Sequence, residues 1–123
     1  MTLLRTACFQ VERLAALCCG AMDLHGGELA AADAGAQRVR EAWDSSGAIR
    51  LLSVTPGCLG TLRRALPGVE VINPLALLAE RVESLNFSPL AEKIALHVPG
   101  SRINVSGTDA ALLTLLHRAP HLR

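Results

Sequence analysis

The sequence predicts a small α/β protein, a three-layer Rossmann-like parallel sheet of about three strands with flanking helices. Three observations lead there. Short runs rich in Leu, Ile and Val alternate with stretches of helical periodicity, the pattern of strands joined by crossover helices. Ser-Gly and Pro-Gly pairs bracket those runs. The chain of 123 residues has the length of one domain, so residues 1–123 are expected to share a single core.

Taken in order, Thr2 to Leu17 places Leu3, Leu4, Val11, Leu14 and Leu17 at roughly helical spacing and predicts a first helix. From Glu28 to Trp43, Leu29, Ala32, Ala36, Val39 and Trp43 recur every three or four residues among charged neighbours, as in an amphipathic helix. Ala48 to Val54, AIRLLSV, reads as a buried strand. A Thr55-Pro56-Gly57-Cys58 turn follows, then a short helix from Leu59 to Leu66 and a second strand from Val69 to Ile72. Asn73-Pro74 is an N-cap and first-turn pair, which predicts a helix from Leu75 to Leu85 with Leu75, Leu78, Ala79 and Val82 inward. Lys93 to Val98 is the third expected strand, broken by Pro99-Gly100. A last helix, Ala110 to Leu116, is capped by Thr108 or Ser106.

Composition narrows the function. Half of the residues are hydrophobic and mean hydropathy is +0.34, which requires a buried core rather than disorder. Only Phe9, Trp43 and Phe87 are aromatic, so aliphatic side chains build that core and no aromatic platform exists for stacking bases. Twelve basic and eleven acidic residues give a net charge of +1, leaving no basic field for a phosphate backbone, so nucleic acid is not an expected partner. The longest uncharged stretch, Leu51 to Leu62, holds Pro56, Gly57 and Gly60, and no transmembrane segment is expected. Arg5, Glu12 and Arg13 interrupt the apolar N-terminus, unlike a signal peptide, and the expected location is cytoplasmic. In that compartment cysteines are thiols, metal ligands or buried fillers rather than structural disulfides.

No glycine-rich nucleotide loop, zinc-protease signature or hydrolase nucleophile elbow occurs. The chemistry rests on the cysteines. Cys18 and Cys19 are adjacent and precede Gly20, and two neighbouring side chains reach one centre only where the backbone turns, which Gly20 permits. Cys58 lies between a strand and a helix, where the first amides of the helix favour a thiolate. The same three thiols can equally be small buried hydrophobes. His97 ends a predicted strand and so lies at the carboxyl edge of the sheet, while His25 sits in a Gly-flanked loop; surface or capping roles are common for both. His117 and His121 read as exposed or helix-end residues. Arg63-Arg64 reads as a solvated helix face one turn after Cys58.

The string CCGAMDLHGGELAAADAGAQRVREAW, followed by TPGCLGTLRRALPGVEVINPLALLAERV and KIALHVPG, resembles the cysteine-rich CCG domain family, which is found in heterodisulfide reductase and in the iron–sulfur subunits of glycolate and lactate oxidases. The family pattern places a CxxC about 34 residues after the CCG, and here 34 residues separate Gly20 from Thr55. Thr55 stands where the first cysteine of that CxxC falls, and His97-Val98-Pro99-Gly100 stands where the family carries His-Asp-Pro-Cys. Seventeen residues precede Cys18, so the chain reads as the middle of a two-repeat protein, truncated and degenerate.

The resemblance implies an iron–sulfur cluster on Cys18, Cys19 and Cys58; Cys8, from its nearness to the CCG, or His97, from its place at a strand end, is the candidate for a further ligand. It also implies an electron-transfer component or remnant in an oxidoreductase complex with a flavoprotein or ferredoxin-like subunit. In such a complex the chain relays electrons and catalyses nothing itself. A zinc site on the same cysteines with His97 or Cys8 is the alternative cofactor. A metal-free interaction module is the alternative function, and its open sheet edges would favour a partner or a homo-oligomer.

Overall fold

The computed structural model describes residues 1–15, 18–98, 100 and 107–123. The chain divides into two compact units, Glu12–Ile72 and the pair of segments Met1–Val11 with Asn73–Arg123.

In the unit Glu12–Ile72, helix α2 (Ala21–His25) and helix α3 (Leu29–Asp44) precede strand β1 (Arg50–Leu52), helix α4 (Pro56–Ala65) and strand β2 (Glu70–Ile72). The strands pair in parallel, with Arg50, Leu51 and Leu52 opposite Glu70, Val71 and Ile72. A parallel pair needs a crossover, and α4 supplies it. The amide of Ser53 extends the ladder by donating to the carbonyl of Ile72 at 3.0 Å, and an Arg50–Glu70 ion pair of 2.6 Å crosses the strands at their first register position.

Pro56 fits the first turn of α4, where its missing N–H would have had no partner. Leu59, Leu62 and Ala65 recur at helical spacing and are buried, with Leu59 wholly inaccessible. They share the core with Val39 of α3 and Val71 of β2. Arg63 and Arg64 are exposed, as the sequence reading of a solvated face expects, and Arg63 Nε donates to the Val71 carbonyl at 3.1 Å, tying α4 to β2.

The helix α3 lies where the periodicity puts it, within a residue at either end. Its inner face differs from the expected one: Ala32, Gly35 and Val39 are buried, whereas Leu29 is exposed and Trp43 is only half-buried. Strand β1 is shorter than the Ala48–Val54 run, and Ile49 and Val54 on either side are 87% and 77% exposed. Helix α2 is not predicted from the sequence, in which His25 falls in a loop; Gly20 starts this helix in a left-handed conformation.

In the other unit, helix α1 covers only Thr2–Thr6. The expected helix through Leu17 ends here because the chain reverses at Cys8, with φ of +64°. Cys8 N–H donates to Arg5 O at 2.9 Å and Phe9 N–H to Leu4 O at 3.0 Å, the bond pair of a Schellman C-terminus with cysteine in the position glycine usually takes. Residues 11–15 carry no helix, and Ala16 and Leu17 lie outside the described residues.

Helix α5 (Pro74–Glu80) begins as expected: Asn73 is buried and its Oδ1 accepts from the Leu75 amide at 2.9 Å. It ends earlier, at Glu80, and a single 3₁₀ turn (Val82–Ser84) completes the stretch. Leu77 and Leu78 are its buried residues, with Leu75, Ala79 and Val82 half-buried. Helix α6 (Asp109–His117) has Thr108 as N-cap and packs on α5. The alternative cap, Ser106, lies outside the described residues, as does the breaker Pro99.

The third strand is a correction. Among the described residues the sheet has two strands, and Lys93–Val98 forms no part of it. Residues 90–94 instead exchange backbone hydrogen bonds with residues 120–123: Leu90 N–H to Pro120 O, Arg123 N–H to Glu92 O and Ile94 N–H to Arg123 O, at 2.8, 3.0 and 3.0 Å. Residues 90–97 are exposed, so the stretch lacks the two covered faces that an inner parallel strand needs. The architecture is therefore mixed helix with a small parallel sheet, roughly α/β. Among the described residues no helix is long and apolar enough to cross a membrane.

Candidate functional site

Three of the four cysteines line one cleft in the unit Glu12–Ile72. The adjacent pair is set by packing. Gly20 has φ of +74°, and a Cβ there would lie 2.7 Å from the Ala32 carbonyl oxygen; a Cβ on Gly35 would lie 2.9 Å from the Gly20 nitrogen. Helix α3 thus runs directly against the CCG backbone, with small residues one turn apart, at positions 32 and 35, making room. This contact buries Cys19 to 7% exposure, whereas Cys18 is exposed. Sequence reasoning singles out Gly20 but misses Gly35, although a glycine one turn after an alanine inside a helix signals close backbone approach.

Cys58 comes from the first turn of α4, its amide engaged with the Thr55 carbonyl at 3.1 Å. All three thiols line one cleft of about 330 Å³, between the CCG turn, Val39, β1 and Leu62.

The electrostatics run against one expectation. The position at a helix start favours a Cys58 thiolate, but the thiol is pushed up from 9.0 to about 11. Burial is the largest cause, followed by the hydrogen bond to Cys19, the charge of Cys19 and the charge of Cys18. Desolvation and neighbouring negative charge both penalise the thiolate, and here they outweigh the helix amides. A positive charge added to the cleft would oppose both effects and favour the thiolate.

The remaining sequence candidates do not line this cleft. Cys8 belongs to the unit of Met1–Val11 and Asn73–Arg123 and is exposed at the end of α1. His97 belongs to the same unit and is exposed on a stretch outside the sheet, so the strand edge that made it a candidate is missing. His25 is the last residue of α2 and exposed.

Three sulfurs facing one cleft are the right donor chemistry for an iron–sulfur cluster or zinc, both of which take cysteine thiolates. Their spacing is looser than their chemistry: among the described residues no three His, Cys, Asp or Glu side chains stand close enough together to hold a metal ion as they are. A bound metal or cluster would therefore require the three cysteine side chains to draw closer together.

Comparison with known proteins gave one finding. The family model of the cysteine-rich domain CCG matches residues 1–63. The match includes Cys8, the Cys18-Cys19-Gly20 run and Cys58, and it ends before the INPLALLAERV and KIALHVPG segments that the sequence resemblance also took in. Neither the curated proteins nor the solved structures compared with the chain gave a match. The family match takes in just over half of the chain and all three cysteines of the cleft, and the protein belongs to the cysteine-rich CCG domain family.

Proposed function

We propose that this protein is an iron–sulfur electron-transfer component, or the remnant of one, in an oxidoreductase complex similar to those of glycolate and lactate oxidases. The observation that carries the reading is the convergence of Cys18, Cys19 and Cys58 on one cleft in a CCG-family chain. Thiolates are the usual cluster ligands, and the positive charge of iron would offset the burial and neighbouring negative charge that push the Cys58 thiol up. A cluster usually takes about four thiolates, so Cys8 or a group from a partner would complete the set. The chain would relay electrons for a flavoprotein or ferredoxin-like subunit in the cytoplasm, without nucleic acid.

Anaerobic reconstitution with iron and sulfide, followed by iron counting and EPR, tests this reading. Iron bound well above that of a Cys58→Ser control, with a cluster signal after reduction, supports it. Iron equal to that control ends it.

A second reading is an interaction module, metal-free or stabilised by zinc. The burial of Cys19 favours its metal-free form, because a buried free cysteine packs as a small hydrophobe. Zinc on Cys18, Cys19 and Cys58 with Cys8 or His97 would appear as one equivalent of zinc in protein from minimal medium, and the metal-free module as neither zinc nor iron.

A further inference from the structure

We propose that the adjacent Cys18 and Cys19 form a chelating dithiol that captures trivalent arsenicals, with the apolar wall of the cleft receiving an aryl group carried on the arsenic. The proposal goes beyond the cluster reading and makes no use of Cys58.

The pairing starts from covalent adjacency. Consecutive Cα atoms stand about 3.8 Å apart, so side-chain rotation, and not the packing of distant elements, limits how near these two sulfurs come. In an extended chain neighbouring side chains point to opposite faces, whereas Cys18 and Cys19 line the same cleft, just before the left-handed Gly20. A direct link between adjacent cysteines closes a tight ring, and an arsenic atom between the sulfurs enlarges it. Such a chelate needs two sulfurs, fewer than a zinc ion or a cluster does.

Access orders the steps. Cys18 is exposed and Cys19 is buried, so Cys18 meets the arsenical first and Cys19 then closes the ring within the same molecule. Leu14, Met22, Val39, Leu51 and Leu62 line the cleft around them, and an aryl ring seated there leaves water for apolar surface.

The step balances without a redox partner. Hydrated phenylarsine oxide carries two hydroxyl groups on arsenic; two S–H and two As–O bonds break, two As–S bonds form, and two waters leave. Arsenic stays trivalent.

The test uses the full chain, reduced and stripped of metal with a chelator, with phenylarsine oxide as the probe. Intact mass is expected to show one phenylarsenic group bound with loss of two thiol hydrogens. That adduct should survive excess mercaptoethanol and be released by ethanedithiol, the behaviour of a two-sulfur chelate. Cys18→Ser and Cys19→Ser should each lose it in mercaptoethanol, while Cys8→Ser and Cys58→Ser keep it. Because Cys18 is exposed, its serine variant carries the test even where Cys19→Ser does not fold. The chelate is overturned if Cys18→Ser retains the adduct or Cys58→Ser loses it. Methylarsine oxide, which has no ring, should be displaced by several-fold less mercaptoethanol than the phenyl adduct, and the preference should shrink in urea. A preference unchanged by unfolding overturns the role of the apolar wall. An unmodified chain that captures the arsenical yet takes up no iron on reconstitution ends the cluster reading and leaves the chelate standing.

Discussion

Gly20 and Gly35 meet backbone to backbone: a Cβ on Gly35 would sit 2.9 Å from the Gly20 nitrogen and 3.0 Å from its Cα. Both sides of this contact are main chain, so neither can yield by a rotamer change. The CCG turn is held in place by the absence of two side chains.

Gly35→Ala tests that contact. Alanine in a helix interior gains about 1 kcal/mol over glycine, while forcing a methyl group into a filled site costs about 1–3 kcal/mol. The backbone clash should win, with a net loss of about 1 kcal/mol in urea unfolding. Gly57→Ala is the control, because a Cβ there meets nothing within 4 Å and the chain should gain about 0.4–1 kcal/mol. Equal gains at both positions would refute the close approach.

Cys8 sits in the left-handed region at the end of α1, a conformation that costs a side-chain-bearing residue about 1–2 kcal/mol. Cys8→Gly relieves that strain and gives back part of it as unfolded-chain entropy. A net gain of about 0.5–1 kcal/mol is expected, read as a higher urea midpoint. A lower midpoint would mean that the thiol itself stabilises the turn.

Stability should decline in mild alkali through Cys58. Its folded pKa of about 11 lies above the ordinary 9.0, so between those values the unfolded chain has lost the proton that the folded chain retains. Loss of a proton on unfolding then favours unfolding as pH rises. The contribution is whole below pH 9 and is lost toward pH 11. Urea unfolding of reduced protein at steps across this window should show a steeper decline than that of Cys58→Ser, and parallel declines would disprove the assignment.

Asn73→Ala removes the buried side chain whose Oδ1 accepts from the Leu75 amide. The expected loss is about 1–2 kcal/mol, the upper part of the N-cap range, because burial denies that amide a water in exchange. Asn73→Asp keeps the acceptor and should recover most of it. Circular dichroism melts of the two variants decide the point.

Much of this is legible in the sequence where a local rule governs one element. Helix α3 follows from periodicity, the start of α5 from Asn73-Pro74, and β1, α4 and β2 from runs bracketed by Pro and Gly, each within a few residues. The misses share a cause in tertiary context. The first helix ends at a Schellman turn whose C-terminal residue is cysteine rather than glycine, and nothing in composition marks it. Lys93–Val98 has the composition of a strand but lies outside the sheet, with Ile94 bonded to Arg123, because propensity alone does not select a partner. At the site, motif spacing groups Cys18, Cys19 and Cys58, and the cleft has all three. The sign of the Cys58 shift is out of the sequence's reach, since desolvation depends on neighbours that only folding supplies.

The strand-like pairing of residues 90–94 with 120–123 separates two properties that usually travel together. Leu90 and Ile94 expose 41% and 43% of their surface, yet their amides donate to Pro120 and Arg123. In deuterated solvent these two amides should therefore exchange slowly beneath side chains bathed in water. Protection there would report the docking of the chain's last residues, with no apolar cover to account for it.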